Sequence, residues 1–393
     1  MRFCLLSTFY PPWNFGGDGV QVERLAHALG DAGHEVTVVH SPLVHRALNG
    51  SIEHAPRDHP RVEVVGLEES LPSLAATYLT GRPRRARGQI ERVLQRSFDV
   101  IHFHNPSLLG APAVLEMGDA LKLYTAHEQW LLCPGHTLLA ARGRVCENPP
   151  CATCELVHRR PPQPWRHTGL LARALRHLDC VIAPSRAQAS LHSRLAPLVR
   201  IEVIEHFVPD PGPSGAPATR GAPYFLYAGR LERVKGVEAL IDSFKRSAPA
   251  DLVVAGDGGR ARRLRRRANG LPHVHFEGWV DADRLDALYR GALAVVVPSI
   301  GHESFGLVTA EAFARGVPAV VNGLGTLADL ALETGAALAY RSHHELDESL
   351  ARLARDHELR VEMGRRARAA YLERFTPERH LGSYFELIDR VTA

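Results

Sequence analysis

Short apolar runs alternate with helical apolar stripes along most of the chain, the pattern of an α/β protein. Residues 2–7 read as a first strand. A Pro- and Gly-rich loop follows, TFYPPWNFGGDG at 8–19. Val22, Leu25, Ala26 and Leu29 then recur at i, i+3, i+4 and i+7, which predicts a helix closed by Gly30 and Gly33. Further apolar runs predict strands at 36–39, 62–65, 100–103, 121–125, 180–183 and 200–204, with helical stretches from Gln89 and over 170–178. The stretch 208–223, VPDPGPSGAPATRGAP, reads as a linker. The alternation then resumes, with strands at 224–227, 252–255, 274–276, 293–297 and 319–321. Phe375, Thr376 and Pro377 interrupt the terminal helices. The pattern predicts two doubly wound α/β domains.

The stretch 298–318, PSIGHESFGLVTAEAFARGVP, carries the most chemistry. Pro298, Ser299 and Gly301 break a buried strand, and Ser304 is expected to open a helix that Gly316 and Pro318 end. A helix start after a strand offers unpaired N–H groups and the positive dipole end, which favour phosphate. Glu303 precedes that helix and Glu311 lies within it, eight helical steps or roughly 12 Å apart. With a diphosphate between them, each carboxylate has hydroxyls to bind on its own side. The other reading is a buried strand and helix with an acid at each end. A second stretch, AGRLERVKG at 228–236, puts Arg230 and Lys235 on the loop after a strand, where open α/β sheets bind ligands. Lysine occurs only at 122, 235 and 245, so its presence here is not a by-product of composition. An Arg fork with a Lys point charge suits a diphosphate.

The pair GRLxxxKG and ESFGLxxxE resembles the retaining nucleotide-sugar glycosyltransferases of family 4. The resemblance covers nearly the whole chain and is most specific in the second half. It implies two Rossmann-like domains facing across a cleft, the type B (GT-B) architecture. The expected division is 1–207 on the acceptor side, 208–377 for the nucleotide sugar, and a final helix at 378–393 packed back on the first domain. The implied donor is a UDP- or GDP-hexose and the implied acceptor a hydroxyl. Arg230, Lys235 and the backbone of Ser304, Phe305, Gly306 and Leu307 would hold the diphosphate. Glu303 would bind sugar hydroxyls, and Glu311 the ribose. Trp279 and Val280 would frame the base. Gly16 and Gly17 would sit beside the donor phosphate, although a tight strand-to-helix turn explains their spacing equally well. His127, at the end of a strand, matches a family histidine beside the donor sugar, and a loop histidine held by hydrogen bonds is the other reading. Lys and Arg supply positive charge, so no catalytic metal or other catalytic cofactor is expected. Rival readings are a sugar-nucleotide epimerase or a phosphorylase on the same fold, and a non-catalytic nucleotide-sugar-binding protein.

The remaining features change the picture in places. The chain has 393 residues, is 45% hydrophobic and 23% charged, and carries a net charge of +4, which fits a soluble two-domain protein. Its beginning, MRFCLLSTFYPP, does not read as a signal peptide, and a cytoplasmic setting with reduced thiols is expected. Nothing in the charge pattern calls for nucleic acid. The basic stretch 82–96 reads as a solvated face, with peripheral membrane contact as the alternative. Cys133, Cys146, Cys151 and Cys154 cluster in a Pro/Gly-rich insert, 133–154, and lead to the expectation of a structural zinc.

Overall fold

The computed structural model describes residues 1–48, 58–139, 146, 151–157, 160–213, 215–218 and 220–393. Among them, strands form two parallel sheets. The first holds β1 (Arg2–Leu6), β2 (Glu35–His40), β3 (Val62–Gly66), β4 (Val100–Phe103), β5 (Leu121–Thr125), β6 (Cys180–Ala183) and β7 (Ile201–Val203), in the order β3-β2-β1-β4-β5-β6-β7. The second holds β8 (Tyr224–Ala228), β9 (Asp251–Ala255), β10 (Val274–Gly278), β11 (Ala294–Val297), β12 (Ala319–Asn322) and β13 (Ala337–Tyr340), in the order β10-β9-β8-β11-β12-β13. The central strands β4, β8 and β11 are buried at every position. That is why β8 and β11 read as unbroken apolar runs, and β4 as one broken only by His102: helices cover both faces of a parallel sheet. In the second sheet Leu226, Val253, Val295 and Val321 pack on one side. Phe225, Val254, Val296 and Val320 pack on the other, against Val237, Leu240, Ile241 and Phe244 of the helix Val237–Arg246.

Two rows of strands, each reversing direction of growth at its middle, make two Rossmann-like domains. The reversal falls between β1 and β4 in one sheet and between β8 and β11 in the other. Loops leaving the carboxyl ends of those strands diverge there, which opens a crevice for a ligand.

The chain divides into two compact units, Met1–His206 with His380–Ala393, and Phe207–Arg379. In the first, the last helix, Pro377–Thr392, buries His380, Tyr384, Leu387 and Ile388. In the second, the start of the expected linker is fastened down. Val208 N–H donates to the Phe375 carbonyl (3.0 Å), Asp210 pairs with Arg368 (2.7 Å), and Arg290 donates to the Gly212 carbonyl (2.8 Å). β13 was not foreseen: its four residues ALAY include two alanines, which have weak strand preference.

Candidate functional site

Two loops of the second unit are laced together at its switch point. The loop after β8 carries Arg230 and Lys235, and the loop after β11 carries Ser299 and Glu303. Ile300 N–H donates to the Val234 carbonyl (2.8 Å). Gly236, at φ +69°, lies so near the second loop that a Cβ there would stand 1.9 Å from the Pro298 carbonyl oxygen. Only glycine allows both that conformation and that approach. The lacing brings Lys235 Nζ within 2.7 Å of Glu303 Oε1, and Ser299 donates its hydroxyl to the same oxygen. Burial alone would raise the Glu303 pKa. The Lys235 ammonium, the Ser299 hydroxyl and the Arg230 charge outweigh it, and the carboxyl is held below its ordinary value. Asn322 fixes the Ser299 carbonyl from β12 (2.9 Å).

The helix after this loop starts later than its sequence suggests. It spans Leu307–Ala314, with Gly306 at its cap in the left-handed region (φ +88°). Residues 303–306 are therefore loop, and the helical rise separates Glu311 from Leu307 rather than from Glu303. Glu311 accepts a hydrogen bond from the Tyr289 hydroxyl (3.0 Å). The Phe305 ring is buried edge-on against Phe375 (5.4 Å between centroids). Trp279 follows β10 and is 47% exposed, whereas Val280 packs on the core. The one Asp-x-Asp triplet of the sequence, at 281–283, begins with a helix cap: Asp281 accepts from Arg284 N–H (2.8 Å).

The remaining candidates lie in the first unit. Gly16 caps the helix Gly17–Asp31 at φ +148°, and its carbonyl accepts from Asn14 (3.1 Å). Asp18 in the first turn accepts from Asn105 (3.0 Å), which ties the loop after β1 to the loop after β4. His127, just past β5, shares a hydrogen bond between its Nε2 and His104 Nδ1 (2.9 Å) and stacks on His206 (4.8 Å). His102 joins through its ring contact with His104 (3.9 Å) and hydrogen bonds to Tyr384 (2.9 Å) and Thr125 (2.8 Å). His380 stacks on Tyr384 (6.2 Å). Burial drives the His127 pKa down to about 4, against a pull upward from Asp18, and its imidazole is neutral at neutral pH. Gln188 fixes the loop by donating to the carbonyls of Ala126 (3.1 Å) and Glu128 (3.3 Å). Sequence reasoning reached His127 but not the cluster around it, because the other members come from separate segments, one of them at the far end of the chain. It also missed Ser299, whose place in the strand-breaking triplet beside Glu303 was a usable signal.

The zinc expectation is not carried by the structure. Among the described residues, no group of three or more His, Cys, Asp or Glu side chains is placed to hold a metal ion. Cys133 instead packs with Leu132 and Leu138, and Cys146 lies against that apolar cluster. Burial, then the neighbouring Cys133 and Cys146, raise the Cys154 thiol pKa. The side chain of Cys151, and residues 140–145 and 147–150 of the insert, lie outside the described residues.

Comparison with known proteins agrees with this fold. The family model described as Glycosyltransferase Family 4 matches residues 15–210, and that described as Glycosyl transferases group 1 matches 216–370. A glycogen synthase of Mycobacterium tuberculosis is 28% identical over 377 residues, covering 87% of this chain and 83% of the relative. A D-inositol 3-phosphate glycosyltransferase of Pseudarthrobacter chlorophenolicus is 27% identical over 418 residues, covering 93% and 90%. Among solved structures, a sucrose-phosphate synthase from Thermosynechococcus elongatus superposes with a TM-score of 0.74 at 20% identity, covering 100% of this chain and 99% of that one. Anabaena HepE in complex with UDP and glucose gives 0.69 at 18% identity, covering 99% of each. Two Rossmann-like domains with these matches define a glycosyltransferase of the GT-B class. The chain belongs to the family 4 type of those enzymes.

Proposed function

We propose that the protein moves a hexose from a UDP- or GDP-hexose to a hydroxyl acceptor, with retention at the anomeric carbon and without a catalytic metal. The observation that carries this reading is the Lys235–Glu303 pair (2.7 Å), buttressed by Ser299 at the β8/β11 switch point. A carboxylate kept ionised there accepts hydrogen bonds from sugar hydroxyls. Arg230 and Lys235 meet the charge that grows on the diphosphate as the glycosidic bond breaks. The backbone N–H groups at the start of the helix Leu307–Ala314 add to that field. The leaving phosphate takes the acceptor proton on the same face, so no side chain acts as base. Glu311 serves the ribose and Trp279 the base. His127, neutral at neutral pH, donates or accepts one hydrogen bond to the hexose without adding charge. Anabaena HepE, which holds UDP and glucose, supports the donor class. The setting we infer is the cytoplasm.

The test is a thermal-shift screen of nucleoside-diphosphate hexoses, followed by a transfer assay with the best donor in chelator. A raised midpoint with donor, and product of retained configuration, are the expected results. Epimerised donor, dependence on inorganic phosphate, or binding without turnover would replace this reading with one of its rivals.

A further inference from the structure

The helix Leu71–Thr80 in the first unit is apolar in composition, yet Thr77 is its one side chain recorded as buried. Its outward face is ordered by helical spacing: Leu71, Ala75 and Leu79 at i, i+4 and i+8, with Pro72 beside them, are all exposed. Leu71 is 59% exposed and Leu79 44%. An ordinary surface helix puts its leucines inward. In this helix Leu71 and Leu79 are exposed and Leu74 is half-buried. Ser70 caps it by accepting from Ser73 N–H (3.4 Å), and Trp165 Nε1 donates to the Tyr78 carbonyl (2.9 Å). The Tyr78 hydroxyl donates to the Pro161 carbonyl (2.9 Å). Gly81 ends the helix at φ +62°, where a Cβ would meet Pro112 at 2.7 Å and Trp165 at 2.9 Å. The inner face is pinned, so Leu71 and Leu79 stay outside.

Charge follows directly. Arg82, Arg84, Arg85 and Arg87 are exposed in the segment after Gly81. Arg87 pairs with Glu91 (2.8 Å), whereas Arg82, Arg84 and Arg85 form no ion pair among the described residues. Of the two acids at the other end of the helix, one is weakened. Glu69 receives the Ser41 hydroxyl and burial raises its pKa, while Glu68 is exposed. Leu156 and Val157, also exposed, precede the Pro161 that anchors Tyr78.

We propose that this face is a docking surface for an anionic lipid bilayer, with the leucine stripe seated in the headgroup boundary and the three arginines on lipid phosphates. An apolar stripe about 12 Å long is too short to span a bilayer, and a basic cluster at its end is the arrangement of a peripheral contact. Charge complementarity selects the lipid surface over a second copy of the chain, whose matching face would oppose arginine to arginine.

Co-sedimentation of the full chain with vesicles tests this without any sugar substrate, so its outcome is independent of the transferase reading. Binding is expected to vesicles of phosphatidylcholine with about one-third phosphatidylglycerol, weakening with salt, and not to phosphatidylcholine alone. Replacing Arg82, Arg84 and Arg85 by Glu is expected to weaken binding roughly 100-fold or more. Leu71→Glu with Leu79→Glu is expected to abolish it with an unchanged thermal midpoint. Ala75→Trp, a change in the middle of the exposed stripe, supplies a second reading: the emission it adds to that of the wild type shifts to the blue with anionic vesicles. No binding by the wild type, equal binding to both vesicles, or an unshifted added emission in the Ala75→Trp variant overturns the proposal. So does a concentration-dependent dimer that the leucine substitutions dissolve and vesicles leave untouched.

Discussion

Glu303 and Lys235 hold each other at 2.7 Å, although their proposed tasks differ. The pairing fits both tasks, because a carboxylate beside a diphosphate site is tolerable only with a cation to offset it. Glu303→Gln keeps the shape and weakens the acceptor strength. Transfer should fall while affinity for the sugar-free nucleoside diphosphate, measured by calorimetry, stays nearly intact. Equal loss of both would make the residue structural. Lys235→Ala should instead raise the barrier by about 3 kcal/mol, read in kcat, with a smaller loss in ground-state binding. Gly236→Ala tests the lacing itself. Its methyl cannot occupy the space of the Pro298 carbonyl, and the positive φ adds strain, so a loss of ~2 kcal/mol or more in unfolding free energy is expected. An unchanged midpoint would mean that the loops part at little cost. At this scale local motifs singled out Lys235 and Glu303, which the structure brings together. Ser299 and Asn322 were not singled out, because their part is to orient others from a distance.

Among the elements, strands were easiest to read, since a buried parallel strand is an uninterrupted apolar run. The helix after β11 was harder. Its apolar spacing runs on either side of Gly306, and only the left-handed cap there shows that 303–306 stay loop. The histidine cluster was illegible for another reason: β4, β5 and the last helix meet only in the folded unit. It has a consequence for pH. Burial lowers the pKa of His102, His104, His127, His206 and His380, and brings His127 and His380 to about 4. Unfolded histidine titrates near its ordinary value of 6.5, so between 6.5 and about 4 the unfolded chain binds the extra protons. Stability is therefore full above that window and is lost as pH falls through it, by up to ~1.4 kcal/mol per pH unit for each such histidine. Urea midpoints across the window should show the decline, and a flat series would contradict the neutral cluster.

For the whole molecule, the two sheets and their switch points followed from the alternation of runs and stripes. What the sequence did not disclose is how much of the first unit rests on its final helix. Tyr384 is fully buried and shares a hydrogen bond with His102 at 2.9 Å. Tyr384→Phe removes one oxygen and leaves a buried imidazole nitrogen without its partner, so a loss of about 1–3 kcal/mol is expected in unfolding experiments. No loss would mean that the hydroxyl is dispensable to the cluster.

The second unit is one unbroken length of chain, and the first is closed by two. The hydrogen bond from Val208 N–H to the Phe375 carbonyl sets the ends of that unbroken length side by side. A segment whose entrance and exit adjoin is topologically a guest, and guests of this kind are separable. Residues 207–379 expressed by themselves should melt cooperatively and bind UDP or GDP. Residues 1–206 alone should not fold, since the apolar seats of Tyr384, Leu387 and Ile388 would lie open to water. The host depends on its last turns of helix, while the guest carries everything it needs within itself.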